Sequence, residues 1–155
     1  MLPPKRKANR LIASDNFFSS YSTSGEDEPE KNSLSKSPFI SIVDDDESMR
    51  EATESLIESL GFRVETFGST EEFVQCDHLA QIACLILDVQ LPGMSGLELQ
   101  RLLSLATYTF PIIFITAHGD DQLRKQALKA GAVEFLNKPF SQVSLLTALD
   151  WALKR

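Results

Sequence analysis

Three carboxylates, a hydroxyl and a lysine stand where apolar runs of this chain turn polar. The stretch "SIVDDDESMR", residues 41–50, sets Asp44, Asp45, Asp46 and Glu47 directly after a branched apolar run. Neighbouring carboxylates repel and are costly to bury unpaired, so this run either is a solvated loop or holds a cation. Further on, "CLILD" ends in Asp88, "IIFIT" ends in Thr116, and "VEFL" is followed within two residues by Lys138. Oxygen ligands of this kind suit Mg2+, which keeps several waters. A carboxylate can also attack phosphorus and become an aspartyl-phosphate. A metal, an ammonium and a hydroxyl can then hold the phosphoryl oxygens. Asp88 is the better nucleophile, because it ends the most apolar and most central strand. Asp44 and Asp45 are the better metal carriers. Singly, each residue has an ordinary reading: Asp88 caps a turn, Thr116 bonds its own backbone, and Lys138 is a surface charge.

These residues can meet only if the elements before them lie side by side. "FISIV" reads as a strand of branched residues. "ESMREATESLIESLG" has Met49, Ala52, Leu56 and Leu60 recurring on one helical face, with Gly61 as a stop. "RVETF" is a short strand, and "STEEFVQC" opens a helix with a capping box of Ser69 and Glu72. "ACLILD" is nearly all apolar, as a strand covered on both faces must be. "SGLELQRLLSL" carries the same box in Ser95 and Glu98. The strand "PIIFIT", a helix across "GDDQLRKQALKAGA", the strand "VEFL" (133–136) and a helix "SQVSLLTALDWALKR" complete the pattern. Five strands alternating with five helices predict an α/β fold, a parallel sheet with helices on both faces. Right-handed crossovers leave few ways to assemble it. In such sheets ligands sit beyond the carboxyl ends of the strands, where strand order reverses, and the polar residues above fall on that edge.

Composition narrows the function classes. The 155 residues carry a net charge of −7, unevenly spread. Residues 1–37 hold six basic and five acidic side chains, and residues 38–155 hold nine basic and seventeen acidic, a net −8. A domain this acidic has no surplus cations to displace phosphate counterions, so direct nucleic-acid binding is not expected of it. Residues 1–37, with "SSYSTSGEDEPEKNSLSKSP", read as a polar tail that buries too little apolar surface to offset its ordering entropy. Cys76 and Cys84 are eight apart with no histidine read at ligand spacing, and Cys84 in "IACLILD" reads as a buried thiol. Nothing suggests a disulfide framework, which favours a reducing compartment. Apolar runs are too short to span a bilayer, and the basic start "MLPPKRKANR" lacks the apolar segment of a signal peptide. A cytoplasmic location is the expectation.

Residues 38–155 resemble the receiver domain of bacterial two-component response regulators. The matching motifs are "VDDD" at 43–46, "LILDVQLPGMSGLEL" at 85–99, "FITAHGD" at 114–120 and "AGAVEFLNKPF" at 130–140. The resemblance implies a flavodoxin-like (βα)5 fold with strand order 2-1-3-4-5. It implies that Asp88 is the phosphoacceptor, and that Asp45 binds Mg2+ directly, Asp44 mainly through water and Gln90 through its backbone carbonyl. Thr116 resembles the switch hydroxyl and Lys138 the family lysine, with Lys138–Pro139 cis. Phe135 occupies the aromatic switch position, and Ala117 leaves room for the ring to move inward. The implied partner is a sensor histidine kinase, and the implied response is homodimerisation through the fourth helix, fifth strand and fifth helix. Arg124, Lys125 and Lys129, with Glu134 and Asp150, are the charges available to pair across a two-fold axis. The domain would catalyse its own phosphorylation and dephosphorylation without being a conventional turnover enzyme. "TAHGD" with "KPF" is closest to receivers fused to helix-turn-helix output domains and regulating transcription. Since the chain ends one helix after its last strand, either a receiver fragment or a single-domain regulator is expected.

Two enzyme-like rivals fit less well. Phosphohydrolases of the haloacid-dehalogenase-like family place a second aspartate two residues after the nucleophile, where this chain has Gln90. A dinucleotide fold needs a glycine-rich turn after the first strand, and here that turn is acidic and would repel pyrophosphate. A receiver-like interaction domain that works without phosphorylation stays open as an alternative.

Overall fold

The computed structural model describes residues 39–154; the polar tail read at 1–37 lies outside the described residues. Among the described residues there are five strands: β1 (Phe39–Val43), β2 (Arg63–Phe67), β3 (Cys84–Asp88), β4 (Ile112–Thr116) and β5 (Glu134–Asn137). They form one parallel sheet in the order β2-β1-β3-β4-β5. The helices are α1 (Glu47–Ser59), α2 (Thr70–Val74), α3 (Gly96–Leu105), α4 (Asp121–Lys129) and α5 (Gln142–Leu153). A 3-10 turn at Leu79–Gln81, not foreseen from the sequence, lies between α2 and β3.

Period-two alternation along the strands divides the core into two layers. Phe39, Val43, Leu85, Leu87, Ile112, Phe114 and Phe135 pack on one side with Phe73, Leu99 and Ala127 from α2, α3 and α4. Ile40, Ile42, Cys84, Ile86, Ile113 and Ile115 pack on the other with Ile57 of α1 and Leu145 and Leu149 of α5. Every residue of β1, β3 and β4 is buried, as strands covered by helices on both faces require.

Several local expectations shift. The buried positions of α1 are Thr53 and Ile57, with Leu56 partly buried, whereas Ala52 and Leu60 are exposed. The stripe is therefore turned by one residue from the predicted one, onto the 49–53–57 line. Thr53 enters it because its hydroxyl donates to the Met49 carbonyl within the helix, so no polar group is orphaned. The Ser95–Glu98 box at α3 is complete, with both arms formed. The Ser69–Glu72 box is half formed: Ser69 Oγ accepts from the Glu72 amide, but the Glu72 carboxylate accepts from the Gly68 amide instead of the cap residue's own. Strand β5 begins and ends one residue later than "VEFL", and the Val133 amide just before it already donates to Ile112 O of β4.

Candidate functional site

The sheet order puts the reversal of strand order between β1 and β3, and both strands end there in acid. The four acidic residues after β1 divide their work. Asp46 is the N-cap of α1, accepting from the Met49 amide at 3.2 Å, and Glu47 lies in the first turn, where the helix dipole favours it. Asp44 is fully buried, and its Oδ1 accepts from the Asp46 amide at 3.0 Å. Asp45 is exposed. The turn is thus both a helix cap and a carboxylate cluster, and the solvated-loop reading holds only for part of it.

Asp88 ends the middle strand of the sheet and is 4% exposed. Its Oδ1 accepts from the Gln90 amide at 2.9 Å and its Oδ2 from Lys138 Nζ at 2.9 Å. Lys138 Nζ also stands 2.9 Å from Asp44 Oδ2 as an ion pair. The ammonium thus bridges the two buried carboxylates, at the same distance from each. Lys138 reaches the site from the turn after β5, where its amide donates to Thr116 O and its bond to Pro139 is cis, as the resemblance implied.

The electrostatics follow from this crowding. Burial pushes the Asp88 carboxyl above its usual range, and the nearby Asp44 charge adds to the rise; Lys138 and the Gln90 amide pull against it without cancelling it. Burial alone would lower the Lys138 ammonium, but its contacts with Asp44 and Asp88 outweigh that and hold it above its ordinary value.

One carboxylate oxygen from each of Asp44, Asp45 and Asp88 lies within 4.8 Å of the others. The donors are all hard oxygens, and among the described residues the Lys138 ammonium is the one cation that contacts both Asp44 and Asp88, leaving the cluster with net negative charge. Both features fit Mg2+.

Thr116 ends β4, next to Ile115, which is the register partner of Asp88. It is fully buried, and its hydroxyl accepts from the His118 amide at 3.3 Å. Ala117, which follows, is exposed. Phe135 is 2% exposed, so the ring already lies inside, 6.4 Å from Phe114 between ring centroids. The loop above it is tight: a Cβ on Gly119 would meet Phe135 Cε1 and Thr116 Cγ2, each at 2.7 Å. The structure therefore brings Asp44, Asp45, Asp88 and Lys138 into one cluster, and it sets Thr116 and Phe135 beside each other under the β4–α4 loop.

Sequence reasoning missed Arg50. One turn into α1, its Nη1 donates to the Asp44 carbonyl at 2.7 Å and so pins the acidic turn to the helix. A positive residue six places after a buried aspartate was the available signal. It also missed Thr70, whose hydroxyl donates to Met94 O and ties α2 to the β3–α3 loop.

A family model for the response regulator receiver domain matches residues 40–150. The chain belongs to the response-regulator receiver family. It is 47% identical over 115 residues to response regulator protein TmoT of Ectopseudomonas mendocina, covering 74% of this chain and 52% of that protein. Among solved structures, the response regulator StyR superposes with a TM-score of 0.70 at 45% identity, over 76% of this chain and 60% of that one. The FixJ-N structure superposes with a TM-score of 0.69 at 34% identity, over 77% of this chain and 96% of that one. The chain spans about half the length of the curated relatives it matches.

Membership makes this receiver a phosphorylation-based signalling switch with an aspartate and Mg2+ phosphoacceptor site, a domain that modifies itself and is not a conventional enzyme. The cluster of Asp44, Asp45 and Asp88 matches the family's Mg2+ site. Membership also links the domain to histidine-kinase partners and to a receiver dimerisation surface. Among the described residues no helix is long and apolar enough to cross a membrane.

Proposed function

We propose that Asp88 accepts the phosphoryl group from a sensor histidine kinase or a small phosphodonor, with Mg2+ held by Asp44, Asp45 and the Gln90 carbonyl. The observation that supports this most is the placement of Asp88: it closes the central strand, 2.9 Å from Lys138 Nζ and within ligand reach of two further carboxylates. An Asp88 oxygen attacks phosphorus, the bond from phosphorus to the donor breaks, and the leaving group keeps the electron pair. Bound Mg2+ would supply positive charge against the phosphoryl oxygens. Lys138 already neutralises part of the carboxylate cluster, and it turns to the added phosphoryl charge from the same position. Thr116, one residue beyond Asp88's register partner, is the hydroxyl that takes a phosphoryl oxygen.

Signalling then runs through Thr116 and Phe135. Thr116 and the buried ring share the space under Gly119, so a shift of the hydroxyl toward a phosphoryl oxygen repacks the ring and the β4–α4 loop. The exposed face of α4, β5 and α5 carries the change outward, to a second copy of the chain. Relatives named as transcriptional regulatory proteins, such as FixJ of Bradyrhizobium diazoefficiens, support transcription control by a longer protein as the end of this route.

The test is incubation with Mg2+ and acetyl phosphate followed by intact mass. The wild type is expected to gain one phosphoryl mass and Asp88→Asn none by the same rapid route. Equal labelling of the two proteins would sink the assignment. No labelling of the wild type by either a small donor or a kinase would favour an interaction domain that works without phosphorylation.

A further inference from the structure

Among the described residues, one other group of ligating side chains converges outside the acidic cluster, and its chemistry is different. Glu65 lies on β2, the edge strand, and Cys76 and His78 lie on the connection that follows α2. His78 Nε2 is 3.0 Å from Glu65 Oε1 and 3.1 Å from Glu65 Oε2, and Cys76 Sγ is 4.0 Å from Glu65 Oε1. One donor atom from each lies within 4.8 Å of the others, and all three residues are half-buried. The sequence reading found no histidine at ligand spacing from a cysteine. His78 in fact stands two residues after Cys76, and the fold adds a carboxylate from a strand 11 residues before the thiol.

We propose that Glu65, Cys76 and His78 form a second metal site, for a borderline transition-metal ion such as Zn2+. Imidazole, thiolate and carboxylate are the donors that Zn2+ takes, whereas Mg2+ takes oxygen alone. Three protein ligands leave a fourth tetrahedral position for water or for a donor from a partner. The geometry is close to what the ion demands. Tetrahedral bonds of about 2.1 Å to nitrogen and oxygen and about 2.3 Å to sulfur put nitrogen and oxygen about 3.4 Å apart, and sulfur and oxygen about 3.6 Å apart. The observed 3.0 Å and 4.0 Å are each within a few tenths of an ångström of that, a change that side-chain rotation can supply. One ligand is also positioned before any metal arrives. The His78 ring lies against Phe39 in a tilted contact, centroids 5.4 Å apart, and the Arg63 guanidinium sits over the same Phe39 ring at 5.2 Å. A bound ion would staple the α2–β3 connection to the sheet edge and stabilise the fold by mass action.

The remaining cysteine makes the test specific. Cys84 is fully buried in β3, and burial pushes its thiol up to about 12, so it supplies no thiolate to an added metal. Metal-stripped protein, held in saturating Mg2+ to occupy the acidic cluster, is titrated with Co2+. The expected result is one equivalent bound, with thiolate-to-cobalt charge-transfer absorption in the near ultraviolet, and displacement of Co2+ by Zn2+. Cys76→Ser should lose the charge-transfer band, and His78→Ala and Glu65→Gln should each weaken binding by more than about tenfold. Zn2+ should also slow alkylation of Cys76 in the native protein. Circular dichroism of each metal-free variant checks that the fold is intact, and the wild-type spectrum needs no variant at all. A wild-type titration with no charge-transfer band, a band that survives Cys76→Ser, or Zn2+ affinity unchanged across the three variants would overturn the site.

Discussion

Removing the Lys138 ammonium would leave Asp44 and Asp88 facing one another without a cation. Their side chains are 0% and 6% exposed, so water cannot replace it. Lys138→Met is therefore expected to destabilise the Mg2+-free protein by about 3 kcal/mol, the usual cost of stripping one partner from a buried pair. Urea unfolding at neutral pH measures it, and added Mg2+ should recover part of the loss. Asp88→Asn should act in the opposite direction. The Asp88 carboxyl is held above the ordinary aspartate value of 3.8 chiefly by burial, so the folded state binds its proton more readily than the unfolded chain does. Below that value the group is protonated in both states and contributes nothing. As pH rises through the folded value, the ionised group becomes a cost to the native state. The stability advantage of Asp88→Asn over the wild type should therefore grow from acid to neutral pH in Mg2+-free buffer. An advantage that shrinks over that range would contradict the sign. These residues were legible in the sequence because each ends an apolar run in a different strand. Arg50 was missed because its role is to donate to a backbone carbonyl, and a positive residue six places after the aspartate is only a weak signal for such a contact.

At the scale of elements, the β3–α3 connection is held by close approach of backbone to backbone. A Cβ on Gly96 would clash with the Asp88 carbonyl oxygen and stand 3.0 Å from Val89 Cα. Neither neighbour is a flexible side-chain tip, so the helix start would have to move away from the strand that carries the phosphoacceptor. Gly96→Ala is expected to lower stability by about 2 kcal/mol, in the range of overpacking elsewhere, and to slow labelling by acetyl phosphate as well. Thermal unfolding and the rate of mass gain read the two effects separately; unchanged values of both would show that the connection tolerates the shift. Much of this level could be read in advance. Ser95 and Glu98 predicted a capping box that forms completely, and the apolar run of β3 predicted a strand covered on both faces. The failures share a cause. Glu72 prefers the Gly68 amide, Thr53 hides its hydroxyl in its own helix, and Glu65 meets Cys76 and His78 across an edge strand. In each case a polar side chain chose a partner that local periodicity does not rank.

For the whole molecule, the question is what a second copy would touch. Arg124 was a candidate for pairing across a two-fold axis, but it is engaged within its own chain: Nη1 donates to the Phe135 carbonyl at 2.9 Å and Nη2 lies 3.5 Å from Glu134 Oε1. Asp150 pairs with Lys154 on the next turn of α5. Lys125 and Lys129 stay exposed on α4, and Val143 and Trp151, eight residues apart, are 70% and 64% exposed on α5. An isologous interface repeats each contact twice, so a charge reversal on it counts twice. Arg124→Glu would damage β5 itself, since its guanidinium holds the backbone beside the Phe135 ring. Lys125→Glu changes the face and leaves that bond intact. Sedimentation at matched concentration, with and without a beryllofluoride mimic of the phosphoryl group, should show a rise in dimer fraction for the wild type. The rise should be reduced in Lys125→Glu, and at higher salt as well, because exposed charges are screened. If the mimic leaves both the mass and amide exchange across residues 116–140 unchanged, neither the dimer nor the coupling of Thr116 to Phe135 stands. A dimer that forms without any change in exchange would keep the interface and remove the ring from the route to it.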